Sequence, residues 1–320
     1  RSSAASDVYK RQLAQCAPDP DYTNTKSPNP EVDASYELAI KLAKEVDADV
    51  VAITDPDGDR LGVVAKHNGE YVLMSGNQSA AVYLEYILSQ RKEKGTLPDN
   101  AVMYNTIVTS DLGELVARNY GVDVEKTLTG FKFIGDKIRK YEKTHEKQFM
   151  FGYEESYGCV VEDFVRDKDA VQAVLLAAEC GNYYKKQGKD LIDVLNELYA
   201  KYGTFKESQI ALAKAGAAGA ARIKEMMDTL RQDKPTEIGG VKVVLSEDYA
   251  TSERSDGTTI DLPKSNVLKY YLEDGSWIAA RPSGTEPKCK FYFSIKGKDA
   301  KDAADKTEVF HKAMMELIGE

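Results

Sequence analysis

Short apolar segments alternate with segments of helical periodicity along the chain from about residue 31 to residue 202. Residues 101–108, 122–128 and 149–153 are predicted strands, and each is followed by apolar residues at helical spacing. This alternation predicts an α/β fold with a mixed, mostly parallel sheet flanked by helices. Ligands of such sheets bind where loops leave the carboxyl ends of the strands. The loops after the strands are therefore the first places to look for chemistry.

The order of elements differs at the two ends of the chain. Residues 48–53 are a predicted buried strand, followed by a strand pair at residues 61–65 and 71–74 with a turn at Asn68-Gly69. Past Gly203, the pattern predicts a smaller α+β domain with an alanine-rich helix over residues 217–231 and a last helix over 300–318. A hairpin is predicted around Glu273-Asp274-Gly275-Ser276.

Composition excludes some classes of partner. The 320 residues carry a formal net charge of −9, which argues against nucleic acid or an anionic membrane as a partner. No apolar run approaches the roughly 18 to 20 residues of a membrane helix, and the four scattered cysteines show no metal or redox spacing. We expect a soluble, cytoplasmic protein with reduced cysteines.

Three aspartates at alternate positions follow the first predicted strand, in Thr54-Asp55-Pro56-Asp57-Gly58-Asp59-Arg60. Pro56 and Gly58 supply the bend that lets Asp55, Asp57 and Asp59 converge. Oxygen ligands of this kind suit Mg²⁺, and the adjacent Arg60 has the donors to hold a phosphoryl oxygen. An EF-hand is excluded because Lys66 stands where its twelfth loop residue would be glutamate. A solvated acidic turn is the alternative.

A second polar loop, Gly152-Tyr153-Glu154-Glu155-Ser156-Tyr157-Gly158, follows a later strand. Carboxylates and a hydroxyl between glycines match the needs of vicinal sugar hydroxyls, because an ionised carboxylate accepts two adjacent O–H donors. Taken alone, this string is better explained as an ordinary polar loop.

A third loop, Arg281-Pro282-Ser283-Gly284-Thr285-Glu286-Pro287-Lys288, separates two predicted strands of the last domain. Small residues expose backbone N–H groups, hydroxyls add donors, and Arg281 and Lys288 add positive charge. The combination predicts a phosphate cradle, with a plain turn as the alternative.

Two lysines are further candidates. Lys132 lies on a predicted strand-to-helix loop, and Lys168 precedes Asp169, whose side chain is placed to cap the next helix. Taken alone, Lys132 is better explained as a solvated side chain, and the cap explains part of the segment around Lys168 without a ligand. His67, His145 and His311 are interpreted as surface residues, so a catalytic triad has no support.

Taken together and in this order, the three loops closely resemble the α-D-phosphohexomutase family, in its bacterial phosphoglucomutase/phosphomannomutase branch, from about residue 18 to residue 297. The resemblance implies an intramolecular phosphotransferase that interconverts hexose 1-phosphate and hexose 6-phosphate through a phosphoserine and a hexose 1,6-bisphosphate intermediate. It implies Mg²⁺ held by Asp55, Asp57 and Asp59, with Arg60 contacting the phosphoserine and Lys132 near the reacting centre.

The same resemblance implies the substrate contacts and the domain boundaries. The expected substrate-binding residues are Gly152, Glu154, Ser156, Lys168, Arg281, Ser283, Gly284 and Thr285. The expected domains are a disordered or non-native tail (1–17), the end of domain 2 with the metal loop (18–75), domain 3 with the sugar loop (76–203), and domain 4 with the phosphate loop (204–320).

The sequence contains no string of the Thr-Ala-Ser-His-Asn-Pro type, whose serine is phosphorylated in the family. We therefore expect a fragment that binds substrate without turnover and whose partner is the N-terminal domain of its own enzyme. One alternative is a phosphatase of the haloacid dehalogenase type, with Asp55 as nucleophile and Asp57 as acid. Another is a non-catalytic protein that binds sugar phosphates.

Overall fold

A computed structural model describes residues 13–284 and 286–320, and these residues form two compact units. The first unit comprises the described residues up to Thr106 together with Leu112–Leu198. The second comprises Ile107–Asp111 and Tyr199–Glu320. Most of the predicted tail of residues 1–17 lies outside the described range, as does Thr285.

The first unit opens with a helix and a three-stranded antiparallel sheet in the order β1-β2-β3. The elements are α1 (Glu37–Val46), β1 (Val50–Thr54), β2 (Leu61–His67) and β3 (Glu70–Met74). Asn68 and Gly69 both have positive φ angles, 51° and 84°, as a two-residue hairpin turn requires. The predicted strand pair and its turn are confirmed.

The prediction that the first strand is buried is wrong. Val51 is buried against Ala39 and Ala43 of α1, whereas Ala52 and Thr54 are exposed. The reason is that alternate side chains of a strand face opposite sides of the sheet, and the side that carries Ala52 and Thr54 is left exposed. An apolar run by itself does not show whether both faces of a strand are covered.

The rest of the first unit is built on a second sheet with the order β5-β4-β6-β7. Its elements are α2 (Gly76–Glu93), β4 (Ala101–Thr106), α3 (Leu112–Asn119), β5 (Asp123–Thr127), α4 (Phe131–Thr144), β6 (Gln148–Tyr153), β7 (Cys159–Val160), α5 (Ala170–Lys185) and α6 (Leu191–Tyr202). Strand β4 runs parallel to both β5 and β6, and β7 is antiparallel. The α/β class with a mostly parallel sheet flanked by helices is confirmed here, and β1–β3 form a separate sheet.

Strand β4 is buried at every residue because helices cover both faces of a parallel sheet. On one face, Val102 and Tyr104 pack against Phe131, Ile134 and Ile138 of α4. These three residues recur at helical spacing, and each fully buried large apolar side chain contributes about 1.5–3 kcal/mol. The packing fixes the start of α4 at the carboxyl end of β5.

The second unit is an α+β domain with a seven-stranded sheet, confirming the predicted class. Its elements are β8 (Thr204–Ala213), α7 (Gly216–Asp233), β9 (Glu237–Ile238), β10 (Val241–Asp248), β11 (Glu253–Arg254), β12 (Leu268–Leu272), β13 (Trp277–Pro282), β14 (Lys288–Gly297) and α8 (Ala300–Leu317). The strand order is β11-β10-β12-β13-β14-β8, with β9 beside β10. The predicted β12–β13 hairpin is confirmed.

Helices α7 and α8 pack against the sheet of the second unit, where Met226 and Phe310 join Phe291 in one apolar core. A lysine, Lys269, is also fully buried. Its Nζ donates to the carbonyl oxygen of Ile107 at 2.7 Å and lies 3.9 Å from the centre of the Trp277 ring. The carbonyl and the aromatic face replace water around the ammonium group and tie residues 107–111 to this unit.

Two predictions from composition can also be compared with the described residues. Within residues 13–284 and 286–320, no helix combines the length and apolar character needed to cross a membrane. Cys159, Cys180 and Cys289 are buried thiols, as expected for ordinary reduced side chains.

Candidate functional site

The metal loop, residues Asp55 to Arg60, curls around the carboxylate of its first aspartate. Oδ1 of Asp55 accepts the backbone N–H groups of Asp59 at 3.1 Å and Arg60 at 3.0 Å. Gly58, with φ of 68°, donates its N–H to the Asp55 carbonyl. As a result, one carboxylate oxygen from each of Asp55, Asp57 and Asp59 lies within 4.8 Å of the others.

The charges in this loop are crowded. Burial raises the pKa of the Asp55 carboxyl; its hydrogen bond from Arg60 opposes this rise, and the neighbouring carboxylates add to it. Oδ1 of Asp59 is buried and accepts no hydrogen bond from the described residues. Converging carboxylates with an unsatisfied buried acceptor fit a divalent cation that prefers oxygen ligands. The donor set therefore fits a metal ion.

Arg60 lies between the metal loop and a residue that the sequence did not single out. Its Nη1 forms an ion pair with Oε1 of Glu31 at 2.7 Å, while Nε lies 3.6 Å from Asp55 and 3.7 Å from Asp59. Glu31 belongs to no motif and precedes Arg60 by 29 residues, so no spacing signal indicated it. A phosphoryl group that binds Arg60 has to compete with this carboxylate.

The sugar loop, residues Gly152 to Gly158, is joined directly to the metal loop. Arg60 and Gly158 form an antiparallel bridge, and the N–H of Leu61 donates to the carbonyl of Tyr157 at 3.0 Å. The loop closes on itself through the N–H of Glu154, which donates to the carbonyl of Gly158 at 2.9 Å. Two motifs nearly a hundred residues apart in sequence are thus neighbours in the first unit.

Glu154 is held rigidly in this loop. Its side chain is buried, and Oε1 accepts the backbone N–H of Gly130 at 2.8 Å. Burial raises the pKa of Glu154, against the opposing effects of this hydrogen bond and of the charges on Lys168 and Arg60. Gly130 was not among the predicted site residues, although it lies two residues before Lys132.

The other predicted residues of the sugar loop have different surroundings. Ser156 is half-buried in the loop. Gly152 lies inside β6, where a Cβ atom would contact Ile134 at 3.0 Å and Phe149 at 3.3 Å. Locally, the missing side chain of Gly152 lets α4 pack closely against β6.

Lys168 contacts both loops, because its stem lies against Gly158 of the sugar loop and its ammonium group pairs with the metal loop. Its Nζ lies 3.0 Å from Oδ2 of Asp59 and 3.1 Å from Oδ1 of Asp167. Burial lowers the pKa of Lys168, but these two carboxylates outweigh burial, so the pKa is raised and the ammonium stays protonated. The next residue, Asp169, accepts the N–H of Val171 at 2.9 Å and caps α5, which confirms the predicted cap.

Lys132 lies in the first turn of α4 and not on the preceding loop as predicted, because the helix begins at Phe131. Gly130, with φ of 117°, makes this early start possible. Lys132 and Lys168 line the same cleft of about 680 Å³, together with Arg139 and Arg166. Three aspartates, Asp136, Asp167 and Asp169, also line the cleft, so basic side chains outnumber acidic ones there by only one.

In the second unit, the phosphate loop is a tight connection between β13 and β14. The N–H of Ser283 donates to the carbonyl of Lys288 at 2.7 Å, and Oγ of Ser283 accepts the N–H of Glu286 at 3.3 Å. Gly284 is exposed, and Arg281 is half-buried at the end of β13. Ser283 and Gly284 line a cavity of about 520 Å³ beside the start of α7. The predicted role of Thr285 falls outside the described residues.

Two histidines differ from the sequence interpretation. His67 and His311 are half-buried and not simple surface residues; Nδ1 of His67 lies 2.8 Å from Asp190, and Nε2 of His311 lies 2.8 Å from Oγ of Ser208. Their partners lie 123 and 103 residues away along the chain, so no local spacing indicated them. His145 is exposed, as expected.

Comparison with known proteins covers most of the chain. Three models of one family match: phosphoglucomutase/phosphomannomutase alpha/beta/alpha domain II at residues 7–69, alpha/beta/alpha domain III at residues 75–202, and the C-terminal domain at residues 214–310. These matches do not favour the haloacid dehalogenase alternative, which would leave the second and third loops unexplained.

Two curated relatives are named phosphoglucomutase. The protein of Staphylococcus haemolyticus is 39% identical over 287 residues, which cover 88% of this chain and 51% of the relative. That of Staphylococcus epidermidis is 39% identical over 300 residues, covering 92% and 54%. The chain thus spans about half the length of the curated relatives it matches.

A solved structure shows the same fold. It is the exocytosis-sensitive phosphoprotein pp63/parafusin, a phosphoglucomutase, from Paramecium in an open form. It aligns with a TM-score of 0.69 at 20% identity, over 95% of this chain and 53% of that protein. With the three family models matched in order along the sequence, this chain belongs to the phosphoglucomutase/phosphomannomutase family of α-D-phosphohexomutases.

Proposed function

We propose that the chain carries the metal, sugar and phosphate loops of a phosphohexomutase that interconverts hexose 1-phosphate and hexose 6-phosphate. The observation that carries the proposal is the junction of the first two loops. The Arg60–Gly158 bridge and the Lys168–Asp59 ion pair hold a cluster of carboxylates beside the loop that contains Glu154 and Ser156. A structural metal site would not require a sugar-binding loop beside it.

We propose Mg²⁺ as the ion that Asp55, Asp57 and Asp59 hold. The donors are oxygen atoms only, and Asp57 is exposed, which leaves room for water or phosphate ligands. When bound, Mg²⁺ would supply positive charge that stabilises a transferring phosphoryl group. Arg60 would bind the phosphate of a phosphoserine through its forked donors, in exchange for Glu31.

The sugar would be bound by Glu154 and Ser156. The hydrogen bond from Gly130 engages Oε1 of Glu154 and fixes the carboxylate, whose remaining lone pairs suit sugar hydroxyls. Lys168 keeps its proton, so it would donate to a substrate oxygen rather than act as a base. Lys132 would contact the substrate from the cleft that it shares with Lys168. Gly152 would contribute by keeping β6 and α4 close together.

In the second unit, Arg281, Ser283, Gly284 and Thr285 would bind the phosphate that is not being transferred. The sugar would bind in two orientations, first receiving a phosphoryl group from phosphoserine to form hexose 1,6-bisphosphate, and then returning the other phosphoryl group. The two curated relatives are named phosphoglucomutase, so glucose phosphates are the first substrates to test.

We propose further that these 320 residues bind hexose phosphate without turning it over. Turnover in the family needs a phosphoserine, and no string of the expected type occurs in this sequence. A first domain of the family would supply that serine as a partner. Turnover of glucose 1-phosphate by the purified chain, persisting after contaminating mutase is removed, would contradict this part of the proposal.

Calorimetric titration of the full chain tests the metal and sugar sites. Asp57→Asn should weaken Mg²⁺ binding by at least about tenfold, the low end of what losing even an outer-shell partner costs. Glu154→Gln should weaken glucose 1-phosphate binding and leave Mg²⁺ binding unchanged. Asp99→Asn, at an exposed aspartate of the same unit, is the matched control. Equal Mg²⁺ affinity in the Asp57 and Asp99 variants would overturn the assignment of the metal loop.

A further inference from the structure

We propose that His67, Asp190 and Asp193 form a second metal site in the first unit, for a transition-metal dication such as Zn²⁺ or Mn²⁺. Nδ1 of His67 lies 2.8 Å from Oδ2 of Asp190 and 3.8 Å from Oδ1 of Asp193. All three ligand atoms lie within 4.8 Å of one another. None of these residues belongs to the metal loop.

The fold holds the two aspartates ready for a shared ligand. Oδ1 of Asp190 accepts the backbone N–H groups of Ile192 at 2.8 Å and Asp193 at 2.9 Å, and Oδ2 of Asp193 accepts the N–H of Asp190 at 2.9 Å. One oxygen of each carboxylate therefore caps the start of α6. The other two oxygens are the ones nearest His67.

The histidine is positioned by the β2–β3 hairpin. His67 is the last residue of β2, directly before the Asn68-Gly69 turn, whose left-handed backbone directs the chain back into β3. Oδ1 of Asp193, Oδ2 of Asp190 and Nδ1 of His67 thus come from two rigid elements, a hairpin and a helix start. Sites on such elements hold their geometry better than sites on loops.

The ligand set favours a borderline transition metal. One imidazole nitrogen with two carboxylate oxygens suits Zn²⁺ or Mn²⁺, whereas Mg²⁺ prefers oxygen alone. Ligand bonds of about 2.0–2.2 Å place tetrahedral donor atoms roughly 3.4 Å apart. The distances of 2.8 and 3.8 Å from Nδ1 of His67 straddle this value, and the two carboxylate oxygens lie within 4.8 Å of each other. The side chains are 22%, 29% and 42% exposed, which leaves a side open for water.

Asn68 accommodates the change in His67 that metal binding requires. Nδ2 of Asn68 lies 2.9 Å from Nε2 of His67, and Nδ1 lies 2.8 Å from Oδ2 of Asp190. A metal bound at Nδ1 requires that the ring proton lie on Nε2. Rotating the Asn68 amide by half a turn then presents its oxygen as the acceptor, an outer-shell support of the kind common at metal-bound histidines.

A metal here would brace two segments of the first unit. His67 falls in the part of the chain matched by the domain II model, and both aspartates fall in the part matched by the domain III model. The ion would clamp the tip of the β2–β3 hairpin to the start of α6.

Cobalt titration of the full chain, followed by visible absorption and by competition with Zn²⁺, tests the site. Asp57→Asn is introduced first to weaken metal binding at the metal loop, so this test does not depend on the proposed mutase function. That variant should bind one equivalent of Co²⁺ with a spectrum that reports nitrogen ligation, and Zn²⁺ should displace it and raise the thermal midpoint.

Adding His67→Gln should weaken this binding by at least about tenfold and abolish the thermal shift. Asp193→Asn should do the same, while its amide oxygen still caps the helix by accepting the N–H of Asp190. His145→Gln, at an exposed histidine of the same unit, should change neither measurement. No saturable Co²⁺ binding in the Asp57→Asn protein, or binding insensitive to His67→Gln, would overturn the proposal.

Discussion

Replacing Gly158 with alanine tests the contact between the sugar loop and Lys168. A Cβ atom at this position would lie 2.7 Å from Cγ of Lys168 and 3.3 Å from its Cβ, and nearer still to Cδ. Nonbonded carbon atoms prefer a separation of about 3.5–4.0 Å, so the lysine stem has to move by roughly 1 Å or more. Gly158 does not have a positive φ, and alanine therefore adopts its backbone conformation without strain.

Two effects determine how much Gly158→Ala lowers the free energy of unfolding. Overpacking a close contact costs about 1–3 kcal/mol. Moving the stem instead breaks the 3.0 Å pair between Lys168 and Asp59, and a hydrogen bond to a charged group contributes about 1.5–3 kcal/mol. The partly exposed Asp59 side chain favours the lower end of that range. Moving the lysine stem relieves the overpacking but breaks the ion pair. We therefore expect a destabilisation of about 2 kcal/mol rather than the sum of the two effects.

Urea denaturation in two backgrounds measures this coupling. Lys168→Ala removes the Cγ and Cδ atoms, so Gly158→Ala should cost less than about 0.5 kcal/mol in that background. Gly181→Ala is the control, since its Cβ would meet only Val50, at 3.1 Å. Inside a helix, alanine is more favourable than glycine by up to about 1 kcal/mol. Equal losses with and without Lys168 would refute the reasoning.

The second unit offers two further tests. Phe310→Ala should lower the free energy of unfolding of this unit by about 3–5 kcal/mol in urea denaturation, because Phe310 is 1% exposed in the apolar core. The control, Val309→Ala at an exposed neighbour, should change it by less than about 0.5 kcal/mol. Burial lowers the pKa of His311, so the folded state favours the neutral ring. The contribution of this ring to the free energy of unfolding should be fully present above a pH of about 6.5 and should decline as the pH falls below that value. His311→Gln can still hydrogen-bond Ser208 and should flatten this decline when urea denaturation is repeated across the pH range. An unchanged pH dependence in the variant would show that His311 is not its source.

Local signals predicted much of the fold. The Asn68-Gly69 turn and the Asp169 cap depend on residues close in sequence, and both are present. The burial of β1 depends on which elements cover its faces, which an apolar run does not report. Helix α6 was not predicted, although Asp190 and Asp193 form a capping pair three residues apart at its start. That signal was local and was overlooked.

The candidate site shows the same division between near and distant residues. The converging aspartates were predicted from the bend within their own loop, and the structure places their oxygens together. The partners of that loop were not predicted, because Glu31 and Lys168 reach it from segments far along the chain. The interpretation of His67 as a simple surface residue missed its partner for the same reason, since Asp190 is 123 residues away.

These distant partners change what the metal loop does. The three aspartates outnumber the two cationic side chains that contact them, Arg60 and Lys168. By itself the loop is therefore negative and repels a phosphate, and Lys168 is held on Asp59 where a cation would also bind. A divalent ion bound there would reverse this balance of charge and would compete with Lys168 for Asp59. We propose that this competition would free the ammonium group of Lys168 for a phosphate and so couple the two binding events through one lysine. Gly158 is the residue whose missing side chain leaves that lysine room.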